Sequence, residues 1–174
     1  VGLSDVPAML RAQAQEPRCQ VCGEPRVLTG PIGRIAPTDL DAHRTEGAFT
    51  ALEKALSEMT PLEVIGEVKE SRLTGRGGAG FPTGLKWELA HKASNPHKYT
   101  VCNFDESEPG TFKDRVLMEG NPFRVIEGLI ISGFAIGAES GYIYTRGEYP
   151  KAAEILDETL NELYAENILG ENIL

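Results

Sequence analysis

Apolar side chains recur at helical spacing through Ala48, Leu52, Ala55 and Leu56, which predicts an amphipathic helix. A second helix start follows at Thr60-Pro61-Leu62-Glu63. Thr60 is suited to cap, Pro61 to the first helical position, and Glu63 to the reciprocal half of a capping box. Its apolar positions Val64, Ile65 and Val68 run up to a glycine cluster. Beyond that cluster the pattern changes. Tyr99-Thr-Val-Cys-Asn103 reads as a short buried strand, and Gly141-Tyr-Ile-Tyr-Thr145 as a second. Between them a helix is expected from Asn121-Pro122, with Asn121 as cap, to about Gly137. Pro150 opens another helix through Ile155, Leu156, Leu160 and Leu163. Strand, helix, strand, helix in this order predicts an α/β fold with parallel strand pairing. Residues 1–35, with scattered prolines, glycines and arginines, read as an irregular N-terminal arm after a short helix at 5–15.

Composition narrows the function classes. The chain has 174 residues, 41% of them hydrophobic and 25% charged, which is ordinary for a folded domain. The net charge of -9 argues against a nucleic-acid binder, whose binding face is basic. A local cluster of backbone N–H groups still serves a small anion. The longest apolar run, Leu129 to Ala138, is broken by Ser132, Gly133 and Gly137, so no membrane insertion is expected. The start Val1-Gly-Leu-Ser-Asp lacks the basic and apolar regions of a signal peptide. The expected location is the cytoplasm, or the cytoplasmic side of a membrane-associated complex.

Two loops hold the candidate chemistry. Gly75-Arg-Gly77-Gly78-Ala-Gly80-Phe81-Pro82-Thr83-Gly84-Leu-Lys86-Trp87 carries five glycines in ten residues. Glycines let N–H groups converge on a phosphate, and a helix starting at Thr83 adds its dipole. Lys86 and Arg76 add positive charge. The spacing Gly75-x-Gly77-x-x-Gly80 formally matches the dinucleotide fingerprint, but that motif needs a strand before it, and here a helix precedes. The Walker pattern fails, because Gly-Lys-Ser/Thr is missing. Trp87 reads as packing at the base of the loop.

The second loop, Asn103-Phe-Asp105-Glu106-Ser107-Glu108, follows the first predicted strand, as Arg146-Gly-Glu148 follows the second. In open α/β sheets, ligands sit beyond these strand ends. Three carboxylates so close suit a cation, acid–base work or the hydroxyls of a sugar. A solvated loop, or pairing with Lys113 and Arg115, is the alternative. A magnesium site needs a more defined oxygen cage.

Together, Gly75–Trp87 and Asn103-x-Asp-Glu-Ser-Glu-Pro-Gly-Thr-x-Lys-Asp-Arg115 closely resemble the NADH-oxidising flavoprotein subunit of respiratory complex I. The diaphorase parts of NAD-reducing hydrogenases and NAD-dependent formate dehydrogenases carry the same module. Weaker similarity extends through Ile126-Glu-Gly128 and Tyr142-Ile-Tyr-Thr-Arg-Gly-Glu148. The resemblance implies a Rossmann-like, FMN-binding unit over 36–174, incomplete at its C-terminal end. It implies FMN that takes hydride from NADH and passes electrons to iron–sulfur clusters of a larger complex. By position, Gly75, Arg76, Gly77, Gly78, Lys86, Asn103, Asp105, Glu106 and Ser107 would contact FMN. Phe81 would stack near the adenine of NADH, while Glu106 and Glu108 line the nicotinamide side. No residue is expected as general acid or base, because the cofactor carries the chemistry. A [4Fe–4S] cluster is expected in the family's later segment or on a partner. Two departures from the family are Phe104, where many members carry Ala, which is expected to crowd or reshape the loop, and Leu89, where some carry a second aromatic, so that weaker adenine stacking is expected. The alternative function is a non-catalytic structural or docking fragment of the same subunit.

Cys19-Gln-Val-Cys22 is half of a zinc or iron–sulfur site. Three readings compete: a site shared with residues elsewhere or with another subunit, a redox dithiol, and two unliganded thiols. His43, His91 and His97 have no mutual ligand spacing and read as surface side chains.

Overall fold

The computed structural model describes residues 25–171. Cys19, Cys22 and the helix expected at 5–15 lie outside them. Seven helices and two strands follow in order among the described residues: α1 (Leu40–Thr45), α2 (Thr50–Glu58), α3 (Pro61–Glu70), α4 (Thr83–Lys92), β1 (Tyr99–Phe104), α5 (Lys113–Gly120), α6 (Pro122–Ile136), β2 (Ser140–Thr145) and α7 (Pro150–Ala165).

The strands pair in parallel, Tyr99 opposite Ser140 through Phe104 opposite Thr145. Parallel neighbours need a crossover, and α6 lies in it. The result is a mixed helix and strand fold around a small parallel sheet. One sheet face is covered: Phe104 is buried in a cluster with Met118, Ala152 and Leu156, and Cys102 and Ile143 pack against it. Phe104 therefore does not crowd the loop that follows it, because strand alternation turns its ring into the core. The opposite face leaves Tyr99, Val101, Tyr142 and Tyr144 exposed.

Helix α6 is the hub, touching α2, α3, α4, α5, α7 and both strands. Its Phe123 and Ile126 join Leu40, Phe49, Leu52 and Leu163 in one cluster, and its Ala135 joins Ala55, Val64 and Ile65 in a second. Glu127 of α6 is fully buried. Its carboxylate accepts the Ala51 and Leu52 N–H groups at 3.2 Å each and pairs with Arg124 at 2.8 Å. It thus caps α2, whose own N-cap, Phe49, is left-handed and offers no side-chain cap.

The capping box forms as expected: Thr60 Oγ1 accepts from Glu63 N–H at 3.3 Å, and the Thr60 N–H donates to Glu63 at 2.7 Å. Asn121 differs from expectation. It precedes α6, but its buried amide donates to the Leu28 carbonyl at 2.7 Å and caps nothing. His43 is also corrected. It is 1% exposed rather than on the surface, its ring tilted against Phe123 at 5.0 Å with its Nε2 unbonded. Burial lowers its pKa, with a backbone bond to Ala36 opposing. His91 is half-buried against the Ala135 carbonyl, and His97 is exposed.

Candidate functional site

The glycine loop hangs between α3 and α4. Its neck is closed by two backbone bonds, Gly75 N–H to Phe81 C=O and Thr83 N–H to Leu73 C=O, both 2.9 Å. The chain doubles back because Gly78 and Gly80 take φ of +101° and +63°, a region costly for side-chain-bearing residues. Helices α3 and α4 meet at backbone contact, since a Cβ at Gly84 would lie 2.6 Å from Lys69 Cγ and 2.7 Å from its N. Lys69 and Lys92 both pair with Glu88, at 2.7 and 2.9 Å. Lys69, then Lys92, holds the Glu88 carboxyl down to about 2. As the sequence implies, a helix and not a strand precedes the loop.

The acidic loop leaves the C-terminal end of β1. Asn103 Oδ1 accepts from Asp105 N–H at 3.0 Å, and Ser107 donates its hydroxyl to Asp105 at 2.7 Å. Glu106 turns inward and is 3% exposed. Its carboxylate accepts the Asp114 and Arg115 N–H groups, at 3.0 and 3.2 Å, and so caps α5. Lys113 Nζ stands 3.8 Å away and is bound to Asp114 at 2.8 Å. The Glu106 carbonyl accepts from Tyr149 Oη at 2.9 Å and Arg146 Nη1 at 3.2 Å. Glu108 stays exposed.

Both loops face one cleft of about 1020 Å³. Its other walls are α4 through Thr83, Trp87 and Ala90, the length of β1, and α6 through Val125, Gly128, Leu129, Ser132 and Ile136. A Cβ at Gly128 would meet nothing within 4 Å, so its absence keeps the floor open. All the residues expected at the site line this cleft except Ser107, which works within the acidic loop. The side chains of Arg76 and Lys86 make no hydrogen bond or ion pair among the described residues. Trp87 is half-buried and also packs against the Ala55–Val64–Ile65 cluster. Burial raises the Cys102 thiol to about 11. Among the described residues no group of three or more acidic, cysteine or histidine side chains is placed to hold a metal.

Sequence reasoning missed two neighbours of the site. Tyr149 touches Glu106 from a turn 43 residues away. Tyr144 pairs with Asn103 in register, its ring exposed on the same face. A parallel register would have brought it there, but that register is fixed only by the fold.

Comparison with known proteins bears on what this cleft holds. The model of the Nuo51 FMN-binding domain matches residues 68–172. A NADH-quinone oxidoreductase subunit of Rhizobium meliloti is 51% identical over 135 residues, which are 78% of this chain and 32% of that protein. The HndC subunit of a NADP-reducing hydrogenase of Solidesulfovibrio fructosivorans is 45% identical over 148 residues, 85% of this chain and 30% of that protein. The solved structure of an NAD+-reducing [NiFe]-hydrogenase in its air-oxidized state overlays with a TM-score of 0.65 at 35% identity, covering 95% of this chain and 29% of that one. This chain therefore spans about a third of the length of the relatives it matches.

Proposed function

Because the chain belongs to the Nuo51 FMN-binding domain family, we propose that its cleft holds FMN and admits NADH, as part of a multi-subunit oxidoreductase. The observation that carries this reading is electrostatic. In a chain of net charge -9, Arg76 and Lys86 stand without partners among the described residues, beside glycine main chain in one cleft. Free cations and N–H donors together are what a phosphate ester requires. The donor set therefore fits FMN.

Gly75, Arg76, Gly77, Gly78 and Lys86 would hold the phosphate side. Asn103, Asp105 and Ser107 would hold the polar parts of the flavin, and Phe81 offers its exposed ring to adenine. Glu108, its side chain exposed, faces the nicotinamide side. Glu106 has a further part beside the contacts expected of it: its carboxylate caps α5, so it shapes the loop that bears the other two carboxylates. When bound, FMN supplies a two-electron acceptor that releases electrons singly. The protein's share is to bind, orient and exclude water.

The electron acceptor is an iron–sulfur cluster on the part of the relatives' length that this chain does not span, or on a partner subunit. Zinc or iron–sulfur binding at Cys19-x-x-Cys22 stays a proposal. The unit over 36–174 works on the cytoplasmic side of a larger complex. The open aromatic face of the parallel sheet supports an assembly, since such sheets are normally covered on both sides. No helix among the described residues is long and apolar enough to cross a membrane.

Flavin analysis of the full-length protein in its native assembly tests the proposal. One FMN per chain and ferricyanide reduction driven by NADH are expected, with NADPH assayed in parallel to settle the dinucleotide. A colourless assembly without either activity would refute the reading and favour a docking role.

A further inference from the structure

Glu106 is held through two separate groups. Its carboxylate belongs to the start of α5. Its main-chain carbonyl is fixed from the β2–α7 turn, by Tyr149 Oη at 2.9 Å and Arg146 Nη1 at 3.2 Å. Two guanidiniums lie over the Tyr149 ring, Arg115 at 5.3 Å and Arg146 at 5.7 Å from its centroid. Arg115 belongs to the first turn of α5, and Arg146 directly follows β2. Arg146 also lies 3.8 Å from Asp105 Oδ1. One tyrosine thus ties the acidic loop, α5 and the β2–α7 turn together. Neither Tyr149 nor Arg146 lines the cleft, so Tyr149 acts through Glu106, and Arg146 through Glu106 and Asp105.

We propose that Tyr149 is a positioning residue, which with Arg146 fixes the Glu106 carbonyl and so sets where Asp105 and Glu108 meet the dinucleotide. This rests on the reading of the cleft as a flavin and nicotinamide site. The physical reason is loop entropy. The segment from Asp105 to Gly110 is exposed apart from Glu106, and a loop so sparsely buried opens locally unless its backbone is bonded. The tyrosine hydroxyl supplies one of the two bonds at the carbonyl. A net hydrogen bond of ordinary strength corresponds to about fivefold in the population of the ordered loop.

The test is Tyr149→Phe in the full-length protein within its assembly, with two readouts. Amide exchange over residues 105–108 should quicken about fivefold, and the KM for NADH should rise by a similar factor, roughly fivefold, with kcat and flavin content nearly unchanged. Tyr149→Leu, which also loses both guanidinium–ring contacts, should exceed both effects. Leu163→Val, a core change outside the cleft lining, should lower thermal stability and leave both readouts as they were. Unchanged exchange at 105–108 in Tyr149→Phe overturns the proposal, and so does quickened exchange with an unchanged KM. An assembly with neither flavin nor NADH oxidation would instead sink the cleft reading, and the exchange experiment would still decide whether Tyr149 orders the loop.

Discussion

The glycine loop is exposed from Gly75 to Phe81 and is held only at its neck, whereas the acidic loop across the cleft is anchored through a glutamate that is 3% exposed. The charges differ in the same way. Arg76 and Lys86 are unpaired among the described residues, while Lys113 and Arg115 are bound to Asp114 and Glu119. One side of the cleft is thus prebuilt and the other left unsatisfied. An unsatisfied cationic loop gains its order from an anion, and a prebuilt acidic loop supplies geometry with little further loss of ordering entropy on binding. Substitutions in the two loops should therefore fail in different ways.

The largest effect is expected at Glu106. Glu106→Ala strips the cap from α5 and leaves two helix-terminal N–H groups without acceptors. It should cost about 2–4 kcal/mol by chemical denaturation. A loss under roughly 0.5 kcal/mol would mean the acidic loop is not prebuilt. Next is Gly84→Ala, where the new methyl meets the Lys69 backbone at 2.7 Å. Prising α3 from α4 should cost about 1–3 kcal/mol and displace the neck of the glycine loop. An unaltered melting temperature would show that the crossing is loose. Lys86→Ala should behave oppositely to Glu106→Ala. Stability should stay within about 0.5 kcal/mol, while FMN affinity falls roughly tenfold or more, the scale of one hydrogen bond to a charged group. Equilibrium dialysis of FMN measures it.

The smallest effect concerns pH. Burial lowers the His43 pKa below its usual 6.5, so the folded protein resists a proton that the unfolded chain accepts. Stability should be unaffected by this group above pH 6.5 and decline as the pH falls below it. Glu88, held at about 2, adds a second decline between its usual 4.5 and that value. In His43→Leu the upper decline should vanish while the lower one persists. A wild-type urea midpoint that stays constant between about pH 7.5 and 5 would contradict the assignment to His43.

What the sequence made legible was local. Thr60 and Glu63 are three residues apart, and their capping box can be read directly because both partners lie within one turn. The parallel strands and α6 were legible because their residues repeat at the expected periods. Helices α1 and α5 were not: α1 is only six residues long, too short for a periodic pattern although Asp39 caps its start at 2.9 Å, and α5 has no cap from an adjacent residue. Phe112 caps nothing, and the acceptor for α5 is Glu106, eight residues before Asp114. The cap of α2 comes from Glu127, 76 residues away from Ala51. His43 was misplaced because nothing within α1 reveals that Phe123 will pack against it. At the site, the residue types were readable from the two motifs. The division of labour among the carboxylates was not, because it depends on which one the α5 N-terminus claims.

The most direct test of the cleft assignment is FMN affinity of the flavin-depleted full-length protein carrying Arg76→Ala and Lys86→Ala together, beside a single-charge control, Lys92→Ala. Lys92 pairs with Glu88 at 2.9 Å and lies outside the cleft. Binding should weaken by roughly a hundredfold in the double variant, two charge-assisted contacts being lost, and hardly change in the control. Equal affinity in the parent protein and both variants would place the flavin elsewhere and contradict the account.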